Sequence, residues 1–131
     1  MKRKLASVAL LSLVSGVASA APCPDVVGTW QITLACVAQD PPPRFGTRLS
    51  EGVISAQEGC VFAGMIGDDA WVGALAGDGN RTVHSDFGGA KVVGELSARR
   101  GGLFTEMSFT YTFPGDDVAP PTACTGTATR L

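Results

Sequence analysis

The sequence predicts an all-β domain: an eight-stranded antiparallel up-and-down (meander) β-barrel tied by disulfides. Three observations predict it. Turn-forming stretches recur at short intervals after residue 20, and the runs between them alternate in polarity or are rich in β-branched residues. None of these runs carries a helical period of useful length. Four cysteines, Cys23, Cys36, Cys60 and Cys124, are distributed along the same region.

Taken in order, the first strand is GTWQITLAC, residues 28–36, where Trp30, Ile32 and Leu34 alternate with Thr29, Gln31 and Thr33. DPPPRFG breaks the chain, and RLSEGVISA (48–56) follows. QEG separates this run from CVFAGMI (60–66), and GDD separates that from WVGALA (71–76). GDGN holds Asp78-Gly79, a favoured pair for a tight hairpin leading into RTVHSDF (81–87). Gly88-Gly89 introduces AKVVGELSA (90–98), RRGG introduces LFTEMSFTYTF (103–113), and PGDD leads to TACTGTATRL (122–131). Eight short strands joined by turns fit a meander, closed as a barrel or folded as a sandwich.

The cysteines favour closure. With strands running alternately up and down, Cys36 at the end of the first strand and Cys124 at the start of the eighth fall at one end of a barrel. Cys23 and Cys60 fall at the other, so the expected pairs are Cys36 with Cys124 and Cys23 with Cys60. In an antiparallel pair, the register that opposes Cys36 and Cys124 also opposes Trp30 and Arg130. It sets Ile32 against Ala128 and Leu34 against Gly126, large against small on one face. The opposite face carries Thr29, Gln31 and Thr33 against Thr125, Thr127 and Thr129, which suits water.

The segment DVVGTWQI contains Gly28-Thr29-Trp30, and this Gly-x-Trp resembles the opening of the first strand in the calycin superfamily of lipocalin-like and avidin-like barrels. The resemblance implies that Trp30 closes one end of the barrel and packs under a cation from the last strand, the position of Arg130. The chain lacks the lipocalins' Thr-Asp-Tyr motif and C-terminal helix. It also lacks the avidins' Trp-rich biotin-contacting strands, so biotin is not implied.

The beginning of the chain reads as a cleavable signal peptide over residues 1–20. Lys2-Arg3-Lys4 precedes an apolar run from Leu5 to Val14, and Ala18-Ser19-Ala20 is a small-x-small cleavage pattern. Residues 21–131 then form a single domain, secreted or periplasmic, where disulfides persist. Pro22 before Cys23 does not suit lipid acylation, and no segment is long and apolar enough for a membrane span. Without Lys2, Arg3 and Lys4, seven basic residues face twelve acidic ones. That balance, with only Arg99-Arg100 adjacent, argues against nucleic acid as a partner.

Functional groups are expected at the end away from Trp30, which would carry the two longest connections, residues 37–48 and 114–122. Ligand-binding candidates there are Arg44, Phe45, Arg48, Trp71 and Tyr111, with Phe87 and Phe113 nearby. The arginines suit an anionic group. Strand-interior Gly52, Gly64, Gly73, Gly94 and Gly126 suggest a narrow barrel, placing any ligand at the mouth and not deep inside.

No catalytic set, metal site or cofactor is expected. His84, the only histidine, neighbours Ser85 on a strand, so the two side chains point to opposite faces and cannot act as base and nucleophile. Asp68-Asp69, Asp116-Asp117 and Asp78-Gly79-Asn80 are explained by turn chemistry, and Asn80-Arg81-Thr82 is a glycosylation sequon only in a eukaryotic secretory pathway. The expected function is a non-enzymatic binding module for an unknown small molecule or a secreted protein. The alternative is an inhibitor of a secreted hydrolase.

Overall fold

A computed structural model describes residues 22–131; the expected signal segment lies outside the described residues. Eight strands follow in sequence: β1 (Gly28–Ala38), β2 (Arg44–Glu58), β3 (Val61–Ile66), β4 (Asp69–Ala76), β5 (Thr82–Phe87), β6 (Ala90–Arg100), β7 (Leu103–Phe113) and β8 (Thr122–Arg130). Each pairs antiparallel with the next, and β8 returns to β1 to close the barrel. The register of closure opposes Cys36 to Cys124, Leu34 to Gly126, Ile32 to Ala128 and Trp30 to Arg130, as the cysteines predict. Disulfides join Cys36 to Cys124 and Cys23 to Cys60.

Two boundaries differ from the sequence expectation. The connection expected over 37–48 shrinks to residues 39–43, because β1 runs on to Ala38 and β2 begins at Arg44. Prolines 41, 42 and 43 keep the ladder from extending into the connection, having no N–H to give it. Beyond them Arg44-Phe45-Gly46-Thr47 pairs with Ala38, Val37, Cys36 and Ala35. The expected hairpin at Asp78-Gly79 is instead a short 3-10 turn over Asp78–Asn80, in which Gly79 and Asn80 both adopt positive φ.

One end of the barrel is plugged. Trp30 is fully buried and donates its indole N–H to the carbonyl of Val26 at 3.0 Å. The segment from Cys23 to Val27 is held at three points: by its disulfide, by Gln57 and by Arg130. The Gln57 side chain accepts from the Val26 N–H at 2.8 Å and donates to the Pro24 carbonyl at 2.7 Å. Arg130 stacks over the Trp30 ring at 4.8 Å and donates to the carbonyls of Asp25, Val27 and Phe104 at 2.6, 2.7 and 3.0 Å. Burial lowers the pKa of this guanidinium while Asp25 opposes the shift, and an arginine retains its proton regardless.

Above this floor, inward glycines receive aromatic rings from neighbouring strands. A Cβ at Gly52 would stand 2.9 Å from the Trp71 ring, and one at Gly126 would stand 2.7 Å from the Phe109 ring. The rings therefore lie over the barrel wall at these positions.

Replacing Arg130 by Ala is expected to lower stability by about 3 kcal/mol, since three carbonyls lose a charged donor and Trp30 loses its cover. Urea unfolding checks this. A Lys at the same position, a point charge without the planar fork, should recover less than half of the loss.

Candidate functional site

The other end is open. The turns β1–β2, β3–β4 and β5–β6 and the β7–β8 connection converge there, and a cavity of about 550 Å³ descends from them into the barrel. Its wall is set by strand alternation. On β1 the even-numbered residues face inward, so Ile32, Leu34 and Cys36 line it; on β7 the odd-numbered Met107, Phe109 and Tyr111 do so. Trp71, Phe87 and Val92 complete the opposite wall. The volume is within the range of small-molecule sites.

This cavity is deeper than the narrow barrel expected from the strand-interior glycines. The strand-interior glycines do not fill the lumen with backbone. They let Trp71 and Phe109 settle against the wall, and the space reaches down to Ile32, Met107 and Ala128.

The five candidates occupy this region in different ways. Arg48 faces inward opposite Leu34 and has no acidic partner within ion-pair distance among the described residues. Arg44, inward opposite Ala38, is already paired with Asp40 at 3.0 Å. Tyr111 is half-buried, with its ring 6.3 Å from that of Phe87. Burial raises its pKa, Arg48 opposes that rise and Asp69 reinforces it, so a cation and a carboxylate both act on the phenol.

Trp71, expected at the mouth as the first residue of its strand, is the third residue of β4 and only 4% exposed. Its indole N–H is used by Ser85 Oγ at 3.1 Å and its ring meets Phe62 edge-on at 5.6 Å. It offers the cavity ring carbons alone. Phe45, expected in a loop, is on β2 opposite Val37, on the outward face of the barrel, and 81% exposed. It reaches the cavity only at the rim. Alongside it, a shallow groove runs over the outer surface, lined by Val37, Thr47, Thr112 and Ala123.

The β7–β8 connection that overhangs the mouth is braced from within. Asp116 accepts from the N–H groups of Val118 and Ala119 at 2.8 Å each, which also lowers its pKa, and its own N–H donates to the Ala119 carbonyl. Ala119 and Pro120 thereby line the cavity rim. His84 is exposed on β5, opposite Ala74 and Val93 and away from this cavity. Among the described residues no group of three or more His, Cys, Asp or Glu side chains could hold a metal ion.

Met107, Phe109 and Ile66 were not singled out by sequence reasoning. The alternation of LFTEMSFTYTF carries the signal for the first two, once β7 is set against β8 with Tyr111 beside Cys124. No protein-family model matches the sequence, and no curated protein matches it. Among the described residues no helix is long and apolar enough to cross a membrane.

Tyr111 is the only tyrosine in the chain, so its ionisation can be followed by absorbance alone. Its midpoint should lie above the ordinary value of 10.0, rise further in Arg48→Ala and fall in Asp69→Asn. A raised folded-state value means that stability present below the unfolded pKa is lost as pH climbs through the folded one. Unfolding midpoints measured above pH 10 should decline accordingly, and Tyr111→Phe should remove that part of the decline.

Proposed function

We propose that the chain is an exported, non-enzymatic binding module, similar to the calycin-type barrels, that takes a small amphiphilic molecule into its open end. The apolar body of the ligand lies between Leu34, Phe109 and Trp71, and an anionic or hydrogen-bonding head meets Arg48 and Tyr111. The observation that carries this reading is the 550 Å³ cavity with apolar depths and, at its mouth, a guanidinium that has no acidic partner within ion-pair distance among the described residues. Such a cation favours a carboxylate or phosphate through charge-assisted hydrogen bonds, while the buried carbons favour a chain or ring. Export rests on the Lys-Arg-Lys start, the apolar run and the Ala-Ser-Ala site, and two disulfides suit an oxidising compartment.

The hydrolase-inhibitor reading draws no comparable support.

Trp71 supplies the reporter for a test. Titration of the protein with long-chain carboxylates, the matching alcohols and the matching amines should change its fluorescence, with carboxylates binding most tightly. Arg48→Glu should weaken carboxylate binding at least tenfold and leave the alcohols nearly unchanged, the size expected for loss of one charged hydrogen-bond donor. Leu34→Trp, which fills the cavity, should abolish binding of every class while the protein remains folded. Silence toward all three classes would overturn the proposal.

A further inference from the structure

Among the described residues, the longest run of strand with a neighbour on one side only is on β2. β2 has 15 residues but β3 only 6, and their pairing begins at Gly52 opposite Ile66. Residues 44–51 of β2 therefore have β1 on one side and, among the described residues, no strand on the other. The direction of their backbone groups follows from β1. Leu131 N–H donates to the carbonyl of Thr29, and Gln39 N–H to that of Pro121, so odd-numbered residues of β1 turn toward β8. Even-numbered residues of β1 then turn toward β2, where they oppose Arg44, Gly46, Arg48 and Ser50. The N–H and C=O groups of Phe45, Thr47 and Leu49 point away from β1, to the open side.

An unprotected strand edge is a template for another strand. Its side chains indicate which. Phe45 and Leu49 are 81% and 66% exposed on the outward face, with Thr47 between them. The strand is self-complementary about Thr47: in an antiparallel pair with a second copy centred there, Phe45 opposes Leu49 of the second copy, and Leu49 opposes its Phe45. The same register sets Arg48 against Gly46 and Arg44 against Ser50, so no arginine meets an arginine. The neighbouring registers, centred on Gly46 or on Arg48, oppose Arg44 to Arg48 or Arg48 to its own counterpart. Like charges directly opposed destabilise a sheet pair, while an aromatic against an aliphatic stabilises it. Residues whose backbone groups point to the open side meet their own kind in the Thr47-centred register, as a hydrogen-bonded ladder requires.

We infer that this edge is the interface of a two-fold symmetric dimer, in which β2 pairs with β2 of a second copy in the register centred on Thr47. The pairing covers Phe45 and Leu49 and continues the β1–β2 sheet across the axis, with the isologous geometry of most small homodimers. It also brings the two open ends toward each other, since the paired segment lies on the mouth side of Gly52. The inference does not depend on any ligand in the cavity.

Sedimentation velocity of the disulfide-bonded protein over a concentration series tests it, together with amide hydrogen exchange. The sedimenting mass should double with concentration. In the dilute protein the amides of Phe45, Thr47 and Leu49 should exchange fast while those of Gly46 and Arg48, bonded to β1, exchange slowly; at dimer concentrations all five should be slow. Thr47→Pro removes one donor from the open side without touching the β1–β2 ladder and should keep the protein monomeric. Leu49→Lys, which places a charge opposite Phe45 of the second copy, should do the same if the proline variant does not fold. A monomer at every concentration overturns the inference. So does a dimer that survives both substitutions, or one in which Phe45, Thr47 and Leu49 still exchange fast.

Discussion

Closure of β1 onto β8 is the constraint on which the molecule depends. A meander of eight strands has two edges until its first and last strands pair, and that pairing determines which face of every strand looks inward. A slip of one residue would carry Trp30, Ile32 and Leu34 to the solvent side. Two fixtures prevent it, one at each end of the same strand pair. The disulfide from Cys36 to Cys124 fixes the register beside the mouth, and the Arg130 guanidinium over Trp30 fixes it at the floor. Because both act in one register, the intervening positions that match large residues with small, Ile32 with Ala128 and Leu34 with Gly126, need no separate specification.

The two ends then diverge for reasons of length and chemistry. At the closed end, the segment before β1 is met by Arg130, Gln57 and the Trp30 indole, which lets Val26 enter the core without orphaned polar groups. At the open end, β1, β2, β7 and β8 extend beyond the shorter β3 and β4. The wall there rises unevenly, and the side chains that would fill the axis are drawn aside by inward glycines. The result is a vessel with a plugged floor and an accessible interior.

Much of this architecture is legible in the residues. Period-two alternation and turn chemistry locate all eight strands, and the cysteine positions determine both the pairing and the register. Arg48 and Tyr111 are legible as mouth residues because they lie near the ends of their strands that face away from Trp30. The rest is hidden for physical causes. The extension of β2 back to Arg44 is masked by the proline triplet beside it, which marks a turn without showing how short that turn is. Phe45 follows from that extension, since a residue thought to be in a loop has no assigned face until its strand is known. The depth of the cavity is hidden because a glycine in a strand reports a close approach without naming the neighbour. Here the neighbours of Gly52 and Gly126 are rings lying along the wall, which frees the lumen in place of closing it.

The plug has a further effect on how the domain is presented. Cys23 and Leu131 lie at the same end, the floor, so both chain termini of the described domain emerge opposite the mouth. Anything joined at Leu131, whether a tag, a bead or a fused domain, leaves the cavity pointing outward, and a surface coated by such attachment would carry a layer of barrels with a common orientation.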